Sequence, residues 1–142
     1  YIERTSIAKR YPRFSEIENK IRQHFTDKNL AEQAIEQCKA KYIDEDALYY
    51  RALLLRSIWP ELKVKLEDQL LGAEKIRRML NEAGAPTNPE EIGIDRQRLQ
   101  TSYEQARLIR KRYTILDLVM EMDMWAKCLD PLFIEGGFWS VE

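Results

Sequence analysis

A chain of 142 residues is about one domain, and 44% hydrophobic residues are enough for one buried core. The 23 Lys plus Arg nearly cancel the 24 Asp plus Glu, leaving a net charge of −1. That balance excludes a strongly basic nucleic-acid binder and a long acidic tail. No apolar run approaches the roughly 18 residues of a membrane span, and Tyr1-Ile2-Glu3-Arg4 opens a charged segment unlike a secretory signal. Cys38 and Cys128 offer neither a disulfide framework nor metal-ligand spacing, so reduced thiols in a cytoplasmic protein are expected.

In chain order the sequence reads as a succession of helices. Ser15 is placed to cap a helix carrying Phe14, Ile17, Ile21 and Phe25, with Glu18 completing a capping box. Asp27 caps a second helix with Leu30, Ala31, Ala34, Ile35, Cys38 and Tyr42 on its apolar side. Asp44 or Asp46 begins a third. From Leu48 to Ala83 apolar residues recur at near-heptad spacing, interrupted at Pro60 and Gly72. The expected outcome is three segments near 46–58, 60–71 and 73–83, or one bent rod. Gly84 suits the residue past a helix end, and Asn88-Pro89-Glu90-Glu91 reads as a cap followed by a short helix ending at Gly93. Asp95 caps a helix to about Lys111, and Thr114 one through Met124. Pro131 begins or bends a last segment that Gly136-Gly137 ends. No stretch alternates with period two for long enough to be a strand. The expected fold is all-α, a single multi-helix bundle.

The residues alone contain no complete catalytic machine. His24, the only histidine, sits on a charged helix with no second histidine to share an ion. Cys38 and Cys128 lie beside apolar residues and read as buried small hydrophobes. Glu121, Asp123 and Asp130 read as a solvated acidic face, and Trp59, Trp125 and Trp139 as core anchors. The basic stretch 96–112 stands apart. On a helix running to Lys111, Leu99, Tyr103, Ala106 and Tyr113 fall within about 40° of one line, with Arg110 near its middle. An inward arginine must meet a carboxylate, a carbonyl cluster or an anionic ligand.

Four stretches give the chain a resemblance. They are Ala83-Gly84-Ala85-Pro86-Thr87 with Pro89-Glu90-Glu91-Ile92-Gly93; Ile109-Arg110-Lys111-Arg112-Tyr113-Thr114-Ile115-Leu116-Asp117-Leu118; and Gly136-Gly137-Phe138-Trp139. Lys39-Ala40-Lys41-Tyr42 and Ile58-Trp59-Pro60-Glu61-Leu62 fit the same pattern. In this order the chain resembles the C-terminal helical half of the sn-glycerol-1-phosphate dehydrogenases, within the iron-containing alcohol dehydrogenase and dehydroquinate synthase-like superfamily. The resemblance implies reduction of dihydroxyacetone phosphate with NAD(P)H at a divalent Zn or Ni ion. It implies that residues 1–142 form the C-terminal all-helical domain, and that a separate N-terminal α/β domain, absent from this chain, binds the dinucleotide. The family's metal ligands, an aspartate and two histidines, have no counterpart here, since His24 is followed by Phe25 where the family has glycine. No catalytic, cofactor-binding or metal-ligating residue is therefore assigned on this chain. Arg110 is the candidate to meet a substrate phosphate. The implied partners are the α/β domain, a small phosphorylated substrate and further copies in a homo-oligomer. Two alternatives stand beside this reading: a freestanding helical interaction module using the 48–83 run, and a dehydrogenase on the same scaffold with another substrate.

Overall fold

The computed structural model describes residues 11–140 and is all-helical. The described helices are α1 (Phe14–His24), α2 (Lys28–Lys39), α3 (Glu45–Gln69), α4 (Ala73–Glu82), α5 (Arg96–Ala106), α6 (Ile115–Glu121) and α7 (Trp125–Phe133), with a 3-10 turn at Pro89–Ile92. No strand occurs among the described residues.

Caps set most of the boundaries. Asp27 accepts from the Leu30 N–H at 2.9 Å, Asp44 from Ala47 at 2.8 Å and Asp95 from Arg98 at 2.7 Å. Each satisfies one of the unpaired donors of a first turn. The start of α1 differs from the sequence reading. Arg13 is its N-cap and Glu16 reaches back to the Arg13 N–H, so Ser15 already lies inside the helix. Past α4, Gly84 has φ +69°. Ala85 N–H donates to Leu80 O and Gly84 N–H to Asn81 O, the paired bonds of a Schellman end.

Pro60 does not break the chain of turns. α3 runs unbroken over 25 residues, about 37 Å at the helical rise, and the break comes only at Leu70–Gly72. The expected division at Pro60 is thus corrected to one long helix. The proline forfeits one backbone bond and sits where the helix is exposed, so water can serve the freed Arg56 carbonyl.

One core is closed. Ile17 and Ile21 of α1 pack on Ala31, Ala34, Ile35 and Cys38 of α2, and Leu108 closes the cluster. Phe14, Phe25 and Tyr42 border it. The face of α3 that carries the heptad-like spacing is buried only at its start, at Leu48 and Ala52. Farther along, Trp59 is 45% exposed and is a surface residue, not the core anchor the sequence suggested.

The C-terminal segment folds back onto α7. Trp139 N–H donates to Leu132 O at 2.7 Å, and the Trp139 indole donates to the Tyr103 hydroxyl at 3.1 Å. Arg77 of α4 stacks over Phe138 at 3.9 Å. Pro131 lies in the last turn of α7 instead of beginning a helix. Gly137 allows this reversal, since a Cβ there would lie 2.2 Å from the Pro131 carbonyl oxygen. Gly137→Ala is therefore expected to destabilise the protein by about 1–3 kcal/mol through backbone displacement, measured by urea unfolding. An unchanged midpoint would show that the reversal relaxes freely.

Candidate functional site: a buried charge cluster beside an apolar groove

The site begins where α5 ends. The sequence predicted helix to Lys111, but α5 stops at Ala106, and residues 107–113 form a turn tied at three points to α2 and the residues just after it. The Cys38 thiol donates to Leu108 O at 3.2 Å, and the Lys41 ammonium donates to Arg107 O. Gln37 Oε1 accepts from the Lys111 N–H at 3.0 Å. Side chains of α2 and of Lys41 just after it thus take over carbonyls and an amide that a continued helix would have paired internally. Burial of Leu108, 1% exposed, supplies the apolar reason for the turn.

This turn carries Arg107 inward and Arg110 outward. Arg110 is exposed, so the helical phase that pointed it inward does not hold. Arg107 is 9% exposed, and sequence reasoning passed over it. The only signal was weak: Arg107 lies one turn after Tyr103, just beyond the edge of the apolar stripe.

Around Arg107 the charges are organised by capping. Asp117 is the third residue of α6, and its Oδ2 accepts from the Thr114 N–H at 2.8 Å and the Thr114 hydroxyl at 3.0 Å. Its Oδ1 receives Lys41 Nζ at 2.6 Å, with the two side chains only 11% and 7% exposed. Glu121, at the end of α6, accepts from Arg51 Nη1 at 2.7 and 2.8 Å and from the Tyr113 hydroxyl at 2.6 Å. Glu121 is therefore a buried ion-pair partner, a correction to the solvated face expected of it. Burial, the Glu121 hydrogen bond and the Glu121 charge all hold the Tyr113 hydroxyl in its protonated form. Burial, aided by Glu121, pushes Tyr11 up to about 12. Burial also raises the Cys38 thiol and lowers the Arg107 guanidinium from their ordinary values.

Beside this cluster, and sharing Met120 and Glu121 with it, opens an apolar groove of about 650 Å³. Leu55 and Trp59 of α3 form one wall, and Ile115, Leu118, Val119 and Met122 form the other. Its end is shaped by Asp123, which holds φ +54°. Met124 N–H reaches back to Val119 O at 2.9 Å, so α6 ends in a Schellman-type turn with aspartate where glycine is usual. That turn also shortens the helix expected to run through Met124. Cys128 is exposed and lines the groove, contrary to the buried role expected of it.

The remaining candidates fall elsewhere. His24 is half-buried, with Nε2 3.6 Å from Glu104 Oε2. Among the described residues no group of His, Cys, Asp or Glu side chains is placed to hold a metal ion. The catalytic metal implied by the resemblance accordingly does not fit the described residues of this chain. No described helix is long and apolar enough to cross a membrane. The chain matches no protein-family model, no curated protein and no solved structure with which it was compared.

Two outcomes test the cluster. Lys41→Met leaves Asp117 charged and buried without its cation, and should cost about 3–5 kcal/mol in urea unfolding. A loss below about 1 kcal/mol would mean that water replaces the lysine. The second outcome concerns alkaline pH. Tyr11 titrates near 10 when unfolded and near 12 when folded. Between those values the unfolded chain has released a proton that the folded chain retains, so stability falls as pH rises from 10 to 12. Tyr11→Phe should flatten that decline, and an unaltered pH profile of the melting temperature would refute the assignment.

Proposed function

We propose that this chain is the helical domain of an NAD(P)- and metal-dependent cytoplasmic dehydrogenase of the sn-glycerol-1-phosphate dehydrogenase type, inactive by itself. The observation that carries the reading is the uncovered apolar surface. Leu54, Ile58, Trp59 and Val64 of α3 and Ile115 of α6 all stand exposed. A groove walled by Leu55, Trp59, Ile115, Leu118 and Val119 offers an apolar surface to a second body. A second body belongs on it. In this reading that body is the α/β domain that carries dinucleotide and metal, and further copies of the enzyme cover more of α3 and α4.

The quoted stretches support the same reading through what they do. Lys41 pairs with Asp117, Gly84 ends α4, and Phe138 and Trp139 are held by Arg77 and Tyr103. They build a wall rather than a reaction centre, which suits a domain whose part is to close a cleft and exclude water. Arg110 stands exposed on the turn beside this wall, so its assignment to the substrate's phosphate rests on that exposure and no longer on helical phase.

A second reading has its own observation. Leu54, Ile58, Val64, Leu70, Leu71, Ile76 and Met79 are all exposed along α3, α4 and the break between them, as in a helical module that binds a partner helix. The enzyme reading is tested on the full-length protein with dihydroxyacetone phosphate, NADH or NADPH, and Zn²⁺ or Ni²⁺. Substrate-dependent oxidation of the dinucleotide is expected, with Arg110→Ala raising KM at least about tenfold, the loss of one charge-assisted phosphate contact. Absence of any oxidation by the metal-loaded protein would overturn the enzyme reading. An unchanged KM would remove Arg110 from it.

A further inference from the structure

The long helix α3 carries one apolar seam, and the charges beside that seam are of one sign. Leu48, Ala52, Leu55, Trp59, Leu62 and Leu66 recur at alternating spacings of four and three, the a and d positions of a heptad. Leu48 and Ala52 are buried, Leu55, Leu62 and Leu66 are half-buried, and Trp59 is exposed. Every charged residue at the flanking e and g positions is basic: Arg51, Arg56, Lys63 and Lys65. The acids beyond the first turn, Glu61, Glu67 and Asp68, fall at the outer b and c positions, and so does Pro60, which leaves the seam clear. Arg51 is held by Glu121. Among the described residues Arg56 and Lys65 form no salt bridge, and Lys63 meets only Glu67, at 3.6 Å on an exposed surface. An exposed pair of that kind contributes little.

We infer that this seam docks an amphipathic helix of another polypeptide, one whose flanking residues are acidic. The inference rests on the second reading of the function, in which α3 meets a partner helix, and adds the chemistry of that partner. In helix pairs the e and g charges decide which partner is accepted and which is refused. A second α3 would set Arg56, Lys63 and Lys65 against the same cations of its copy in either orientation, so α3 does not pair with itself along this seam. A helix with Glu or Asp on both flanks meets those cations instead. Its apolar residues lie on Trp59, Leu62 and Leu66 and enter the groove of about 650 Å³ that Leu118 and Val119 close on the other side. From Leu55 to Leu66 the seam runs about 17 Å, three helical turns. The groove's own acids are both engaged: Glu121 by Arg51 and Tyr113, and Asp123 in an interaction of its own.

The test is fluorescence anisotropy of labelled synthetic helical peptides titrated with the full-length protein. One peptide has leucine at a and d with glutamate at e and g, a second has lysine at e and g, and a third keeps the glutamates but has serine at a and d. The glutamate-flanked peptide should bind saturably, at least about tenfold more tightly than the lysine-flanked one, with a preference that shrinks as salt is added. The serine peptide should not bind, because charge alone does not fill the groove. The double reversal Arg56→Glu and Lys65→Glu lies at exposed positions and should invert the preference at an unchanged Tm. Should that variant fail to fold, the wild-type preference and its salt dependence decide. Equal binding of the two leucine peptides would overturn the acidic partner and leave α3 a docking helix. Binding of neither would overturn both. A preference for the lysine peptide, or one that the double reversal leaves unaltered, would also overturn the proposal. So would binding to phosphatidylserine vesicles without binding to any peptide, which would make the seam a membrane-facing surface. Dimerisation in sedimentation that Trp59→Ala abolishes would give the seam to a second copy and overturn it as well.

Discussion

The ion pair between Lys41 and Asp117 joins parts of the chain 76 residues apart. Lys41 follows the last turn of α2, and Asp117 lies in the first turn of α6. Asp117 serves twice, as the acid that caps α6 through Thr114 and as the partner that brings α6 to α2. Lys41 serves twice as well, since it also binds the Arg107 carbonyl and fixes the turn after α5. Together with the burial of Leu108, these few bonds end α5 and place Arg107 inward. Such a pair is costly to desolvate, and its worth lies in the geometry it imposes.

That geometry explains which parts of the fold were legible from sequence. Local features read well because their physics is local: the caps at Asp27, Asp44 and Asp95, and the glycine end at Gly84, depend on residues within one turn. The end of α5 did not read, because Cys38, Lys41 and Gln37 end it from a distant part of the chain. A helical-wheel argument extended past Ala106 therefore chose Arg110 when the buried arginine is Arg107. The continuity of α3 through Pro60 was open for a similar reason. A proline's cost is certain, but whether water or a neighbour offsets it depends on exposure.

The candidate site divides along the same line. Glu121 looked like one more surface acid, and only the approach of Arg51 from α3 makes it a buried acceptor. Trp59 and Cys128 looked like core residues because periodicity marks a helix's apolar face without saying what covers it. Along α3 a single face changes from buried at Leu48 and Ala52 to groove-lining at Leu55 and Trp59. The sequence pattern is continuous where the covering is not.

The turn between α1 and α2 spans only a few residues, so the cluster of Ile17, Ile21, Ala31, Ala34 and Ile35 forms from neighbours in the chain. Leu108 and Asp117 must return from far downstream, across loops whose closure costs entropy before any contact rewards it. The order of assembly is thereby set: the first helical hairpin can form early, while the charge cluster waits for the last third of the chain. During that interval Leu48 and Ala52, the residues of α3 that the finished fold buries, are uncovered along with the rest of its apolar face. A nascent chain of this kind is most vulnerable to aggregation while its longest helix is complete and its locking aspartate has yet to be made.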